Sequence, residues 1–323
     1  MRPMIPAFEF RRRARVAMKN WMPILLVVML IASLPSLISQ TVTMITGADP
    51  TVLLNGLSDQ VMQLAEKYGM NQAGSVMGEV VIDQAQLEAD TQALIERYVQ
   101  DVETFTREKY PIILGLSLMV MVTSPVLTLG MINAMLHALR KQEVTVSLAL
   151  SRVRYFLKAL GLELLMALKL FAWTLPGLAL MIAACFLPEA LMLGVMLIGL
   201  VLMLVLTIMA AYRYAMVTCL LADDPTVGLR DCFRRSCAIM KQRKLELFGL
   251  EISFIGWWLL LSLVKSMLMI FGMVIGSTLG MFAALFLSVY TNCAQVAFYL
   301  EYSGAPQGDA DAEQMPEMAE MNP

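Results

Sequence analysis

Lys169 and Lys265 stand inside long apolar runs, where a charge near the bilayer centre costs at least about 2.5–3.5 kcal/mol. Each lies nine residues from one end of its run, ~14 Å at the helical rise of 1.5 Å per residue. Neither has an acid one helical turn away. Two cations at that depth that face a counter-charge make a candidate intramembrane anion site. The plainer reading is that they snorkel, or bond to hydroxyls such as Thr174, Ser262 or Ser266. Glu163 and Glu251 are only three residues inside their runs, ~5 Å, within reach of the interface.

The rest of the reactive inventory is thin. His137 is the single histidine, so a Ser/His/Asp arrangement has one candidate base, and no G-x-S-x-G elbow accompanies it. No GxxxxGK[ST] loop cradles a phosphate, and no H-E-x-x-H pair holds zinc. Cys185, Cys219, Cys232, Cys237 and Cys293 form no C-x-x-C pair and read as free thiols. The expectation is therefore a protein with no catalytic residue, no metal and no cofactor. The 24 basic and 26 acidic residues nearly cancel, which argues against a nucleic-acid partner.

The elements that would position these residues are membrane spans. With 59% hydrophobic and 15% charged residues and a mean hydropathy of +0.69, the chain departs from soluble composition, about 45–50% apolar and about 25% charged. Six stretches reach the ~20 apolar residues needed to cross the hydrocarbon: 21–45, 111–136, 160–186, 190–212, 248–274 and 278–300. A tight turn at Leu187-Pro188-Glu189 joins the third to the fourth. The fifth and sixth meet around Gly276-Ser277, so Gly272-x-x-x-Gly276-x-x-x-Gly280 reads as a hairpin turn rather than a packing motif. The fold class is all-α: a polytopic membrane helix bundle with interfacial amphipathic helices and a small extracytoplasmic helical hairpin.

Basic residues orient the spans. Segments 1–20, 137–158 and 211–247 collect eighteen Arg and Lys, while 47–109 holds four, with eleven acids. The positive-inside rule puts both termini in the cytoplasm. The first span begins too deep and runs too long for a cleaved signal peptide and reads as a signal anchor. The organisation is a basic cytoplasmic segment 1–20, a membrane domain 21–303 that includes the outer hairpin 47–109, and a disordered acidic tail 304–323.

The hairpin is predicted as two amphipathic helices. Asp49-Pro50 starts the first, and Leu53, Leu57, Val61, Leu64 and Tyr68 follow helical spacing up to Gly69. Val80, Leu87, Leu94, Tyr98, Val102 and Phe105 line the second, with Asp90, Glu96, Asp101 and Glu103 facing solvent. On the inner side, Asp224-Pro225 is predicted to cap a helix that shows Leu229, Phe233, Ser236 and Met240 on one face. Arg230, Arg234, Arg235, Lys241, Arg243 and Lys244 flank that face and are candidate contacts for anionic lipid of the inner leaflet. Segments 10–20 and 145–158 have a similar basic, amphipathic make-up. The layout suggests a three-fold pattern, an interfacial helix followed by a transmembrane hairpin.

Several segments resemble one family. These are Tyr212-Arg-Tyr214, Leu221-Ala-Asp-Asp-Pro225, Ser236-Cys-Ala-Ile-Met-Lys241 and Phe248-Gly-Leu-Glu-Ile-Ser-Phe-Ile-Gly-Trp257. Ala14-Arg15, Lys19-Asn20-Trp21, Trp173-Thr-Leu-Pro-Gly177 and Ala297-Phe298-Tyr299 add to them. Together they are similar to the bacterial integral-membrane family catalogued as domain of unknown function 975. The resemblance implies an all-helical, multi-pass protein of the bacterial cell membrane, and it implies no activity. A fainter likeness is to membrane regions fused to glycerophosphodiesterases.

Two function classes fit. A non-enzymatic scaffold or accessory protein would use the basic inner face and outer hairpin as docking surfaces, with a membrane protein or a second copy as partner. A transporter or channel for a small anionic or amphipathic solute would need a polar mid-depth cavity lined by broken helices, for which Pro35, Pro125 and Pro176-Gly177 are candidate breaks. The scarcity of buried acids argues against a proton- or sodium-coupled pump, and a lipid-acting enzyme fits least.

Overall fold

Long apolar runs leave the backbone no partner but itself in lipid, so each closes its hydrogen bonds as a helix. The computed structural model describes residues 6–68, 84–270 and 273–304, and among these no strand occurs. The helices are α1 (Ala7–Thr46), α2 (Thr51–Lys67), α3 (Gln84–Leu139), α4 (Val146–Leu150), α5 (Phe156–Ala184), α6 (Glu189–Tyr214), α7 (Val217–Asp223), α8 (Leu229–Met240), α9 (Lys244–Ile270) and α10 (Met273–Ser303). A 3-10 turn, Ser151–Tyr155, links α4 to α5. Six helices are long and apolar enough to cross a membrane, as expected.

Contacts divide the chain into two units, Met1–Ser33 with Ser124–Pro323, and Leu34–Thr123. In the smaller unit α2 lies antiparallel on α3. Lys67 pairs with Asp90, and the Tyr68 hydroxyl donates to the same carboxylate at 2.7 Å. Leu53 and Leu57 share a groove with Tyr98 and Phe105. The predicted hairpin is there, with two changes. Asp90 is held by α2 instead of facing solvent freely, and its helix runs unbroken into the second span as the 56-residue α3. The Thr51 N–H donates to Asp49 Oδ1 at 2.9 Å, while Pro50 holds the N-cap of α2 with no side-chain cap bond. Gly69 and Val80 lie outside the described residues.

In the larger unit the buried core gathers at the end of the spans that carries the basic segments. Phe10, Leu129, Met135, Leu136, Met216, Leu221, Met240, Leu250 and Phe298 are almost wholly buried there. Phe10 stacks on Phe298 at 5.4 Å between centroids, and Phe298 on Tyr302 at 4.8 Å. Leu193, Leu197 and Leu204 of α6 and Leu164 and Leu168 of α5 stay exposed, as lipid-facing side chains do. Between α5 and α6 the backbones meet at glycine. A Cβ on Gly177 would stand 2.5 Å from Met203 Cβ, and one on Gly199 would stand 2.8 Å from Met181 Cγ. Small residues let membrane helices close on each other in this way.

Three expectations are corrected. The basic stretch 10–20 is no separate interfacial helix: it is the first part of α1, with Phe10, Ala14, Ala17 and Met18 buried. Segment 145–158 folds as the short α4, the 3-10 turn and the start of α5. Only 225–244 holds a free-standing helix, so similar composition hides three local structures and the three-fold pattern is lost. Gly276 is inside α10 rather than at a turn, and Gly272 lies outside the described residues, as does nearly all of the tail 304–323.

Candidate functional site

Helix α8 begins later than predicted. Asp224 does not cap it. Its Oδ1 instead accepts the Thr226 N–H at 2.9 Å and hydroxyl at 2.5 Å, which closes a local turn, and Gly228 occupies the N-cap. Those two bonds, the hydroxyl's first, hold the Asp224 carboxyl below the usual carboxylate range. The apolar stripe meant for the headgroup region is covered by the protein itself. Cys232, Phe233, Ser236 and Met240 are buried, the Phe233 ring meets Tyr214 edge-on at 5.3 Å, and Ser236 Oγ donates to the Arg213 carbonyl at 3.1 Å.

The flanking bases fall into two groups. Arg230, Arg234, Arg235 and Lys241 are exposed, with Arg234 3.0 Å from Asp231. Arg230 and Arg234 are two positions from Cys232 and Ser236, about 200° around the helix, so they point away from the covered stripe. Arg243 is partly buried, 2.5 Å from Glu246 and 4.6 Å over the Tyr302 ring, and Lys244 begins α9 half-buried.

The intramembrane lysines have different neighbours. Lys169 reaches towards α8, its ammonium 5.1 Å from the Phe233 centroid and 5.8 Å from that of Tyr214. The stem of Lys265 crosses α10 at Gly280, where an added Cβ would meet Lys265 Cγ at 3.0 Å. His137 Nδ1–H donates to the Asn133 carbonyl one turn back, at 2.9 Å.

Polar ties that local sequence patterns did not reveal join the helices. Glu251 of α9 accepts from the Tyr212 hydroxyl of α6 and, at 3.2 Å, from Gln295 of α10. It is thus bonded to two neighbouring helices at once. Asp223 of α7 pairs with Arg140 at 2.8 Å and accepts the Tyr299 hydroxyl of α10 at 3.0 Å. Asn133 of α3 donates to the Leu148 carbonyl at 3.3 Å and accepts from Arg152 at 2.9 Å. A signal for the first two ties was present: Tyr212, Asp223, Glu251 and Tyr299 all belong to the segments that carried the family resemblance. Pro35, Pro125 and Pro176 sit within continuous α1, α3 and α5, so the expected helix breaks do not occur at them.

Six apolar helices tied at one end by ring contacts and part-buried polar pairs define an all-α, multi-pass membrane protein. The family model described as "Protein of unknown function (DUF975)" matches residues 80–305, and the chain belongs to that family. No curated protein and no solved structure matches it.

Proposed function

We propose that the chain is a non-enzymatic scaffold or accessory protein of a bacterial cell membrane. In this reading both termini are cytoplasmic, and a basic face lies against anionic lipid of the inner leaflet. The observation that carries it is α8. Its apolar side is consumed within the protein, which leaves Arg230, Arg234, Arg235 and Lys241 exposed, each worth about 1 kcal/mol near an anionic surface. The polar groups of the bundle support the scaffold half. Glu251, Asp223 and Asn133 bond to side chains of other helices and so lock the helices together. A membrane partner or a second copy would dock on the same end.

The test extracts the full chain with its surrounding lipid in polymer discs. The wild type is expected to carry more anionic lipid than the bulk membrane, and R230Q/R234Q/R235Q less than wild type. Discs with bulk composition for both would refute the lipid face. Counterflow of small anions in proteoliposomes would refute the scaffold.

A further inference from the structure

On α1, Arg11, Arg15 and Lys19 recur every four residues, one stripe of a helix spanning ~12 Å along its axis. Their neighbours are accounted for. Arg12 lies 2.7 Å from Glu9, and Arg13 lies 3.6 Å from Glu9 and 2.8 Å from Glu301. The stripe differs: among the described residues none of its three members has a carboxylate within 4 Å. Arg11 Nε donates to the neutral Tyr290 hydroxyl at 3.4 Å, and the guanidinium lies 5.5 Å over the Phe254 ring. Phe254 is ten residues along α9 from Lys244, ~15 Å, so the stripe runs beside the body of a span.

All three cations line one groove of about 610 Å³ between α1, α9 and α10, within the size range of small-ligand sites, about 300–1,000 Å³. Apart from Tyr290 the other walls are hydrocarbon and aromatic, including Trp257, Leu261, Val264 and Phe286. Inorganic phosphate alone would match the cations and leave the walls bare. An acyl chain alone would match the walls and leave three charges beside hydrocarbon, a costly placement. A zwitterionic lipid would bring its own cation to the stripe.

From this we infer that the groove binds one anionic glycerophospholipid. Its phosphate end lies on Arg11, Arg15 and Lys19, and an acyl chain lies along the Trp257 and Phe286 wall. The inference rests on the proposal that this end of the bundle meets the inner leaflet, and it adds one defined site to the basic face.

Trp257 serves as the reporter. Full chain in detergent micelles is titrated with phosphatidylglycerol or phosphatidylcholine brominated on the acyl chain, and tryptophan quenching is followed. The anionic lipid is expected to quench at lower concentration, with the preferential component lost in Trp257→Phe. Lys19→Gln and Arg15→Gln, both at exposed positions, should each weaken binding about five-fold, and R11Q/R15Q/K19Q on the order of 100-fold. If the triple variant does not fold, as judged by circular dichroism, the two single variants decide. Arg12→Gln, outside the groove and paired with Glu9, should quench like wild type, and the α8 set R230Q/R234Q/R235Q should lose only quenching that Trp257→Phe leaves. Preferential quenching that survives the groove substitutions but falls with the α8 set would overturn the groove and keep the surface reading. No preference for the anionic lipid in wild type would overturn both.

Discussion

Gly130 of α3 is buried beneath α4, and a Cβ built on it would stand 1.9 Å from the Ala149 carbonyl oxygen and 2.8 Å from its carbon. Ordinary contact begins near 3.4 Å, so in Gly130→Ala the α4 backbone must retreat by about 1.5 Å, and no flexible side chain is there to yield. Overpacking of this kind costs about 1–3 kcal/mol. The retreat also strains what α3 holds one turn further on, the Asn133 bonds to the Leu148 carbonyl and to Arg152. Losing them adds about 0.5–1.5 kcal/mol for the neutral bond and about 1.5–3 kcal/mol for the charged one. The expected total is about 3–7.5 kcal/mol, a fall in melting temperature on the order of 10 °C in detergent. The control is Gly256→Ala in α9, where nothing lies within 4 Å of the added methyl. It should be neutral, or stabilising by up to about 1 kcal/mol. Thermal unfolding of the purified chain, followed by tryptophan fluorescence, compares them. Equal melting temperatures for the two variants would refute the argument.

Orientation is tested by membrane-impermeant thiol labelling of intact cells, with Cys185 and Cys237 replaced by serine: Glu96→Cys should label and Gln242→Cys should not, and the reverse would invert the topology. Lys265→Met should leave the melting temperature unchanged or raised. Lys169→Met should lower stability by about 0.5–2 kcal/mol, because it loses a cation facing the rings of Phe233 and Tyr214; a comparable loss in both variants would favour the paired anion site instead. The hairpin should depend on pH through Asp90, whose carboxyl is held below its ordinary value by the Lys67 hydrogen bond first and the Tyr68 hydroxyl second. A depressed carboxylate pKa stabilises the native state above the unfolded value, about 3.9, and that contribution is lost as pH falls through the folded value. Amide exchange in α2 should therefore rise on acidification below that range, and Asp90→Asn should flatten the profile.

The spans were readable because their signal is local: an apolar run of the right length needs no knowledge of its neighbours. So was the helix start at Asp49-Pro50, although the proline and not the acid holds the N-cap. The contacts that fasten the bundle were not, because each partner is remote. Glu251 meets Tyr212 across 39 positions and Gln295 across 44, and nothing in periodicity pairs them. The glycine signal misled in a related way. Spacing drew attention to Gly272, Gly276 and Gly280, while tighter approaches are at Gly130 beneath α4 and at Gly177 and Gly199 between α5 and α6. Composition alone made 10–20, 145–158 and 225–244 look alike, and what separates them is what each packs against. For α8 that packing also moved the apolar face from lipid to protein.

The contacts of α1 with α10 set a timetable for synthesis. Phe10 stacks on Phe298 and Arg13 bonds Glu301 across 288 positions of chain. At about 5–20 residues per second, the ribosome needs on the order of 15–60 s to deliver those partners after α1 has emerged. For that interval the first helix sits in the translocation machinery or the bilayer with its packing face bare, and the closing of the core waits for the last helix. A chain interrupted before α10 would keep that face open indefinitely and stand out to membrane proteases as unfinished.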